Sequence, residues 1–383
     1  MIRFLISKFD SYIPWRIKGF LTGRPKGVTT IFSLAKKDRI IHLSYDGTFK
    51  LKKPIIFNSH FHNVFNENLT YPTDAKFILS IKQARIYRKD HIFSIINNEN
   101  NLIKEVSLDP LKRNVHPVFT HASLPKTTLI KGKTLMLGTL GADNVYFHWM
   151  NDLIPRVGIL AEAGINVNDF DTILINPIEH NFQNETLEIL GVDLNKINYI
   201  TEGDHYYCKD LTIPSLINHH PSSIKFLRRH FMTKCSNSPT RRIFIERKNT
   251  PFRNIINQDE VDKILNLYSF EKYELSDLSV NEQIELFNQA GIVMGVHGAG
   301  LTNVIFCSPE TSVIELGTSS FKNVDYWILA NNYQLNYQVL YCNAEPENHE
   351  LQNFNLIVEL SSLTEHIEFA IKNSVRNESS FCN

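Results

Sequence analysis

The chain's most chemically suggestive stretch is a run of small residues between two apolar segments. Ile292 to Val296 reads as a buried strand that breaks at His297-Gly298-Ala299-Gly300 into a helix-like segment continuing through Thr302 and Asn303. A second strand, Ser312 to Leu316, carries Glu315 near its end. Small residues at such a turn let backbone N–H groups and a helix N-terminus approach a phosphate, and Glu315 is then expected to accept from ribose hydroxyls. Tight packing is the competing reading of any Gly-rich turn. Upstream, Arg241, Arg242, Arg247, Lys248 and Arg253 cluster around another strand, with Lys248 to Asn254 as its exit loop. Ligands of open α/β sheets sit at the carboxyl ends of the strands, so this loop and the His297 turn are expected to face one crevice. Two cations there would neutralise a diphosphate; a solvent-facing basic loop is the alternative.

A second constellation lies in Asn144-Val-Tyr-Phe-His-Trp-Met-Asn-Asp-Leu-Ile-Pro-Arg156. On a helix, His148, Asp152 and Arg156 fall at i, i+4 and i+8 within an arc of about 80°. A His and a carboxylate on one face can orient each other and take a proton from a hydroxyl, with Asp152 the base and His148 orienting it, or the roles exchanged. A solvated i, i+4 ladder would have the same spacing. Pro155 either kinks this helix or lies in the first turn of one starting near Asp152.

Other motifs fail on context. Gly132-Lys133-Thr134 has Thr127 where a phosphate loop needs its first glycine. Asp169-Phe170-Asp171 precedes its strand, the wrong end of a parallel sheet for a ligand. His60-Phe61-His62 and His219-His220 lack partners at metal-ligand spacing, so neither metal nor cofactor is expected. No G-x-G-x-x-G opens the second domain, which disfavours a dinucleotide oxidoreductase.

At 383 residues, with 43% hydrophobic and 21% charged, the chain is ordinary globular material large enough for two domains. Forty basic residues balance forty acidic ones, giving no global reason to expect a nucleic-acid partner. The five cysteines (Cys208, Cys235, Cys307, Cys342, Cys382) lack metal or redox spacing, and the odd total fits a reducing, cytoplasmic setting. The first 30 residues contain no apolar run long enough for a signal or spanning segment. They carry Arg3, Lys8, Arg16, Lys18, Arg24 and Lys26 interleaved with aromatics. This basic arm either touches the inner face of a membrane peripherally or packs on its own domain.

Residues 1 to 110 read as the basic arm and a β-rich region with hairpins around Lys76 to Ile81 and His91 to Ile96. Residues 111 to 235 alternate strand and helix as a first Rossmann-like domain, and Cys235 to Thr240 is the expected linker. Residues 240 to 350 form a second such domain: strand 242–246, helix 258–268, strand 270–275, helix 280–290, strand 292–296, helix from about 299, strand 312–316. Capping boxes at Ser279/Glu282 and, less well formed, Asn257/Glu260 mark two helix starts. Residues 351 to 383 hold a final helix, expected to cross back onto the first domain.

These residues carry a resemblance. Glu246-Arg247, Arg253-Asn254, Asn281-Glu282-Gln283, Val296-His297-Gly298-Ala299-Gly300-Leu301-Thr302-Asn303 and Val313-Ile314-Glu315, in this order, resemble the C-terminal half of the glycosyltransferase family 61 domain. Upstream, His148-x-x-x-Asp152 and Leu-Ile-Pro155 resemble a second family block, so the likeness spans about Thr134 to Gly317. It implies an α/β fold of GT-B type, with two Rossmann-like domains facing a cleft and an extra β-rich N-terminal region. It further implies an inverting, metal-independent transfer from a nucleotide sugar, with UDP-sugars foremost, to a glycan or lipid-linked acceptor in a capsule or lipopolysaccharide pathway. A non-catalytic sugar-nucleotide binder of the same pathway is the alternative. The family's usual Ser-Arg reads here as Glu246-Arg247, so the resemblance carries a donor contact to Arg247 and not to residue 246.

Overall fold

The computed structural model describes residues 23–34, 38–57, 69–109, 114–233, 236, 239–248, 250–319, 323–345 and 354–378. Most of the basic arm, His60 to His62, Cys235, Cys382 and much of the expected linker lie outside them. Arg24 is described and buried, its Nη1 donating to the carbonyls of Phe119 and His121 at 3.2 and 2.6 Å. The chain divides into two compact units, residues 1–47 with 74–218 and residues 48–73 with 219–383.

The strands in the first half of the chain are β1 (Gly27–Thr29), β2 (Arg39–Ser44), β3 (Gly47–Lys50), β4 (Thr70–Thr73), β5 (Lys76–Lys89), β6 (Ile92–Ile96), β7 (Asn101–Ile103), β8 (Thr128–Met136), β9 (Thr172–Ile175), β10 (Ile197–Tyr199) and β11 (His205–Pro214). The first unit holds one sheet in the order β1-β7-β6-β5-β11-β8-β9-β10, with β2 also on β5. Strands β8, β9 and β10 are parallel, and β11 runs parallel to β8 and antiparallel to β5. The hairpin β5–β6 turns through Asp90 and His91, both at positive φ (53° and 59°), the pair of left-handed residues that a two-residue hairpin loop favours.

The expected boundary near residue 110 is therefore absent. The β-rich region and the α/β region share one sheet through the β5–β11 pairing and one core, in which Phe77, Ile81 and Ile95 pack with Met136, Leu174 and Leu211. Local alternation reveals the hairpin but not the distant strand that completes its sheet.

In the second unit the main strands are β12 (Arg241–Ile245), β13 (Glu271–Tyr273), β14 (Ala290–Val296), β15 (Ser312–Gly317) and β16 (Asn336–Tyr341). They form an all-parallel sheet in the order β13-β12-β14-β15-β16. Numbered from β12 this is 2-1-3-4-5, a doubly wound sheet whose strand order reverses between β12 and β14. Ser279 and Glu282 make the expected capping box on the helix Val280–Asn288. Asn257 instead uses its side chain on the backbone of Val358.

Three assignments move. The amphipathic helix Pro221–Phe231 falls in the second unit, so the division comes after residue 218 and not at Cys235 to Thr240. The final helix, Leu360–Glu378, does not carry its apolar stripe back to the first domain; Leu363, Ile367 and Ala370 are buried in the second unit's core with Phe244, Met294 and Ile314. Residues 48–73 also belong to the second unit, where Ile55 forms a parallel bridge to Gln338 at the sheet edge and Trp327 Nε1 donates to the Lys52 carbonyl at 2.7 Å.

Candidate functional site

The exit loops of β12 and β14 lie on either side of the strand-order reversal. A crevice of about 230 Å³ there is lined by Glu246, Arg247, Lys248, Arg253, Asn254 and Val296, among others. Arg253 Nη1 donates to the His297 carbonyl at 2.9 Å, tying the two loops together. Arg253 holds φ at 63°, unusual for a residue with a side chain, and its N–H donates to the Phe354 carbonyl at 2.5 Å.

The Arg247 guanidinium rests against Gly298 so closely that a Cβ there would overlap its Nη1, which sets the cation at the start of the 3₁₀ helix Ala299–Phe306. Gly300 is closely packed as well: a Cβ there would come within 2.9 Å of Leu275 Cδ1, which would have to shift. Arg228 Nη1 holds the far end of this helix through the carbonyls of Ile305 and Cys307, at 2.7 and 2.8 Å.

Arg247 and Arg253 are half-buried, and among the described residues neither has a carboxylate within ion-pair distance. Their Nε atoms are buried with no hydrogen-bond partner. Burial depresses the pKa of both, and the charge of Arg253 depresses that of Arg247 further. Two neighbouring, partly desolvated guanidiniums with open donors are an arrangement that an anion stabilises.

The other basic residues of the cluster are already engaged. Lys248 is exposed and its ammonium pairs with Glu246 at 2.9 Å. Arg241 pairs with Glu271 and Tyr273 at the amino end of β12, where Arg242 also donates to the Tyr268 carbonyl at 2.7 Å. Asn254 fastens its own loop to Thr250 and Asn355. The diphosphate reading therefore narrows to Arg247 and Arg253.

Glu315 is not available to ribose. Its carboxylate is buried, one oxygen bonded to His297 Nδ1 and the other accepting from the Tyr337 hydroxyl. Glu315 pairs with Val339 in strand register, so its side chain lies within the sheet's covered layer; Tyr337, which sequence alone did not single out, completes the triad. Burial and the Glu315 charge push the Tyr337 phenol well above its usual range, keeping it a donor. Glu315 thus orients His297, whose ring also lies 5.0 Å from that of Tyr326. Asn303 is fully buried and donates to Gln283 Oε1 at 2.8 Å, so it is a packing contact, and Thr302 is likewise buried, against Tyr326. Ala299 and Gly300 remain half-exposed at the turn.

In the first unit, residues 146 to 162 are helical, but Trp149–Leu153 is wound as a π turn directly before Pro155. A proline ring would clash with the carbonyl four residues back in a regular helix, and the wider turn relieves this. The π turn keeps His148 and Asp152 together, Nδ1 to Oδ2 at 2.7 Å. Asp152 is buried and its Oδ1 accepts from Asn151 at 3.3 Å, whereas the His148 side chain is 40% exposed. The His148 ring packs on Gly141, which needs glycine both for that contact and for its φ of 70°.

Arg156 is not part of a solvated ladder. It is fully buried and donates to the carbonyls of Leu137, Gly138 and Pro214 between 2.7 and 3.1 Å, bracing the carboxyl ends of β8 and β11. Above that brace lies a cavity of about 1040 Å³ whose wall includes Thr139, Asp143, His148, Asp152 and Glu202. The Asp169-Phe170-Asp171 pair is structural: Asp169 caps a short turn and Asp171 accepts from the Lys133 N–H at 2.7 Å.

One unit thus carries an open parallel sheet with an arginine pair at its switch point and the other a hydrogen-bonded His–Asp pair, which together define the chain as an α/β protein. Residues 146–314 match the Glycosyltransferase 61 family. Curated relatives agree over shorter stretches. A beta-1,2-xylosyltransferase of Oryza sativa subsp. japonica is 29% identical over 63 residues, covering 16% of this chain and 12% of that protein. An EGF domain-specific O-linked N-acetylglucosamine transferase of Mus musculus is 34% identical over 80 residues, covering 20% and 15%. The beta-1,2-xylosyltransferase of Arabidopsis thaliana is 28% identical over 75 residues, covering 19% and 14%. The chain thus spans only a small part of the length of these relatives. Over the matched stretch the chain is similar to glycosyltransferases of family 61.

Proposed function

We propose that the protein transfers a hexose or pentose from a nucleotide sugar to a glycan or lipid-linked glycan acceptor. The second unit would hold the donor, a UDP-sugar in our reading, and the first would hold the acceptor, as in an enzyme of GT-B type. The observation that carries this is the arginine pair: Arg247 and Arg253 offer two charges and several open donors at the sheet's switch point, and a leaving diphosphate needs both. With that charge supplied by protein groups, we read the transfer as metal-independent.

In an inverting displacement the acceptor oxygen forms its bond to the anomeric carbon as the bond to the diphosphate breaks, and the acceptor's proton must go to a base. His148 and Asp152 are the candidates. Because His148 is the more exposed and Asp152 accepts at its Nδ1, the geometry favours His148 Nε2 as the proton acceptor and Asp152 as its orienting carboxylate. Of the two role assignments that the sequence leaves open, this is the exchanged one.

The acceptor class, by resemblance, is a surface polysaccharide such as capsule or lipopolysaccharide, and the proposed setting is cytoplasmic, at the inner face of the membrane. Among the described residues no helix is long and apolar enough to cross a membrane. The direct test is a panel of nucleotides and nucleotide sugars scored by thermal shift and by slow donor hydrolysis. UDP-sugar binding with hydrolysis supports transfer; tight binding without hydrolysis of any donor would leave a non-catalytic binder, and no nucleotide binding would remove the proposal.

A further inference from the structure

We propose that the cavity in the first unit is an acceptor subsite that selects hydroxyl- or amine-bearing glycans and rejects anionic ones. The inference rests on the glycosyltransferase reading and names the acceptor class. The cavity opens at the carboxyl ends of β8, β9, β10 and β11 and is large enough for more than one sugar ring. Its wall carries six carboxylates, Glu105, Asp109, Asp143, Asp152, Glu179 and Glu202, against two permanent cations, Arg88 and Lys104.

The more buried cation is spent within the wall. Arg88 pairs with Asp143 at 2.6 Å and with Glu202 at 3.3 Å, so it is not an anion receptor. The histidines in the wall, His91 and His148, are each set against carboxylates, His91 near Asp143 and Glu202 and His148 on Asp152.

Two buried polar atoms in the same wall lack partners: Asp143 Oδ1 calls for a hydrogen-bond donor, and the Thr139 hydroxyl can take either role. Asp143 is 8% exposed and its Oδ1 has no hydrogen-bond partner; Thr139 is 1% exposed and its Oγ1 has none either. A buried acceptor left unmade is costly, and a sugar hydroxyl or ammonium would satisfy it. A ligand carboxylate or phosphate would meet a wall in which carboxylates outnumber permanent cations six to two. The two pockets thus have opposite character, cationic in the second unit and acidic in the first, so the anionic donor is kept out of the acceptor subsite.

The test uses the full chain and three trisaccharides of similar size and different charge: glucosamine trimer, N-acetylglucosamine trimer and trigalacturonate. Binding is measured by saturation-transfer NMR and titration, with UDP titrated separately to report on the arginine pair. The amine and neutral trimers should bind, and trigalacturonate should bind at least tenfold more weakly. Asp143→Asn should narrow that gap; since Asp143 also pairs with buried Arg88, the rim variant Glu179→Gln provides a second check that does not touch the core, with a smaller shift in the same direction. Equal or tighter binding of trigalacturonate, or no binding of any trimer, overturns the proposal. If UDP also fails to bind, the glycosyltransferase reading falls with it, whereas normal UDP binding confines the failure to the acceptor subsite.

Discussion

Arg247 occupies the space that a side chain on Gly298 would need, so its guanidinium rests against the turn after β14 only because residue 298 has no Cβ. The obstacle is the tip of a flexible guanidinium and not backbone. Gly298→Ala should therefore fold with a melting temperature close to that of the unchanged protein while pushing Arg247 aside. The expected loss in UDP affinity is on the order of tenfold, about 1.4 kcal/mol. Isothermal titration checks it, and unchanged affinity would mean that Arg247 is not a phosphate contact.

Arg253 combines an unusual backbone conformation with a partly desolvated charge, so function and stability pull apart at this position. Arg253→Gly keeps the φ of 63° without strain and removes the charge that lowers the Arg247 pKa. In the absence of ligand, relief of the backbone strain should offset much of the lost hydrogen bond to the His297 carbonyl, leaving the variant within about 1 kcal/mol of the parent by urea denaturation. Its UDP affinity should fall by roughly one to two orders of magnitude, in line with removal of a charged hydrogen-bond donor from a partly buried site. Arg253→Lys should restore little, since a point charge cannot reproduce the planar fork. Full donor affinity in either variant contradicts the assignment.

Burial pushes the pKa of His366 down to about 4 from its ordinary 6.5, its Nδ1 sharing a 2.9 Å hydrogen bond with Gln338 Oε1 and its ring edge-on to Phe57. The folded state therefore holds it neutral while the unfolded chain protonates near 6.5, so between these values the unfolded state binds more protons. Stability should be fully present above about pH 6.5 and fall as the pH drops toward 4, by roughly 3 kcal/mol at most from this residue. His205, also lowered to about 4 by burial, adds a like contribution in the first unit. Denaturation series at pH 7 and pH 5 measure the slope. His366→Gln should flatten part of it, and an unchanged slope would show that His366 is not its source.

Elements set by local signals were legible in the sequence. Ser279 and Glu282 announce a helix start that the structure reproduces, and the run into His297-Gly298-Ala299-Gly300 reads as strand and turn because small residues are required there. What local pattern could not show was partnership. Ile55 joins the sheet edge beside Gln338, far along the chain, and β5 finds β11 across most of the first unit. The site suffered similarly: Lys248, Asn303 and Glu315 have the right types at suggestive positions, but Glu246, Gln283 and Tyr337 already engage them. Tyr337 left no signal, because an aromatic in a buried strand reads as core.

The His148–Asp152 pair gives the sharpest kinetic prediction, because the two residues differ in exposure and so should fail differently. If His148 Nε2 takes the acceptor's proton, His148→Ala removes the base and should reduce transfer by a factor on the order of 10² to 10⁴ while leaving UDP affinity unchanged. Asp152→Asn keeps the shape but can present an amide N–H to His148 Nδ1, which favours the tautomer with its proton on Nε2 and blocks proton uptake there. It should lower kcat strongly with little effect on the KM for donor, and its melting temperature should stay near the parent's because Asn151 and His148 still pack around it. If Asp152 is itself the base, the order reverses: Asp152→Asn becomes the more damaging change and His148→Ala retains substantial transfer. Both variants retaining full transfer would remove the pair from the chemistry and leave it a brace for the π turn.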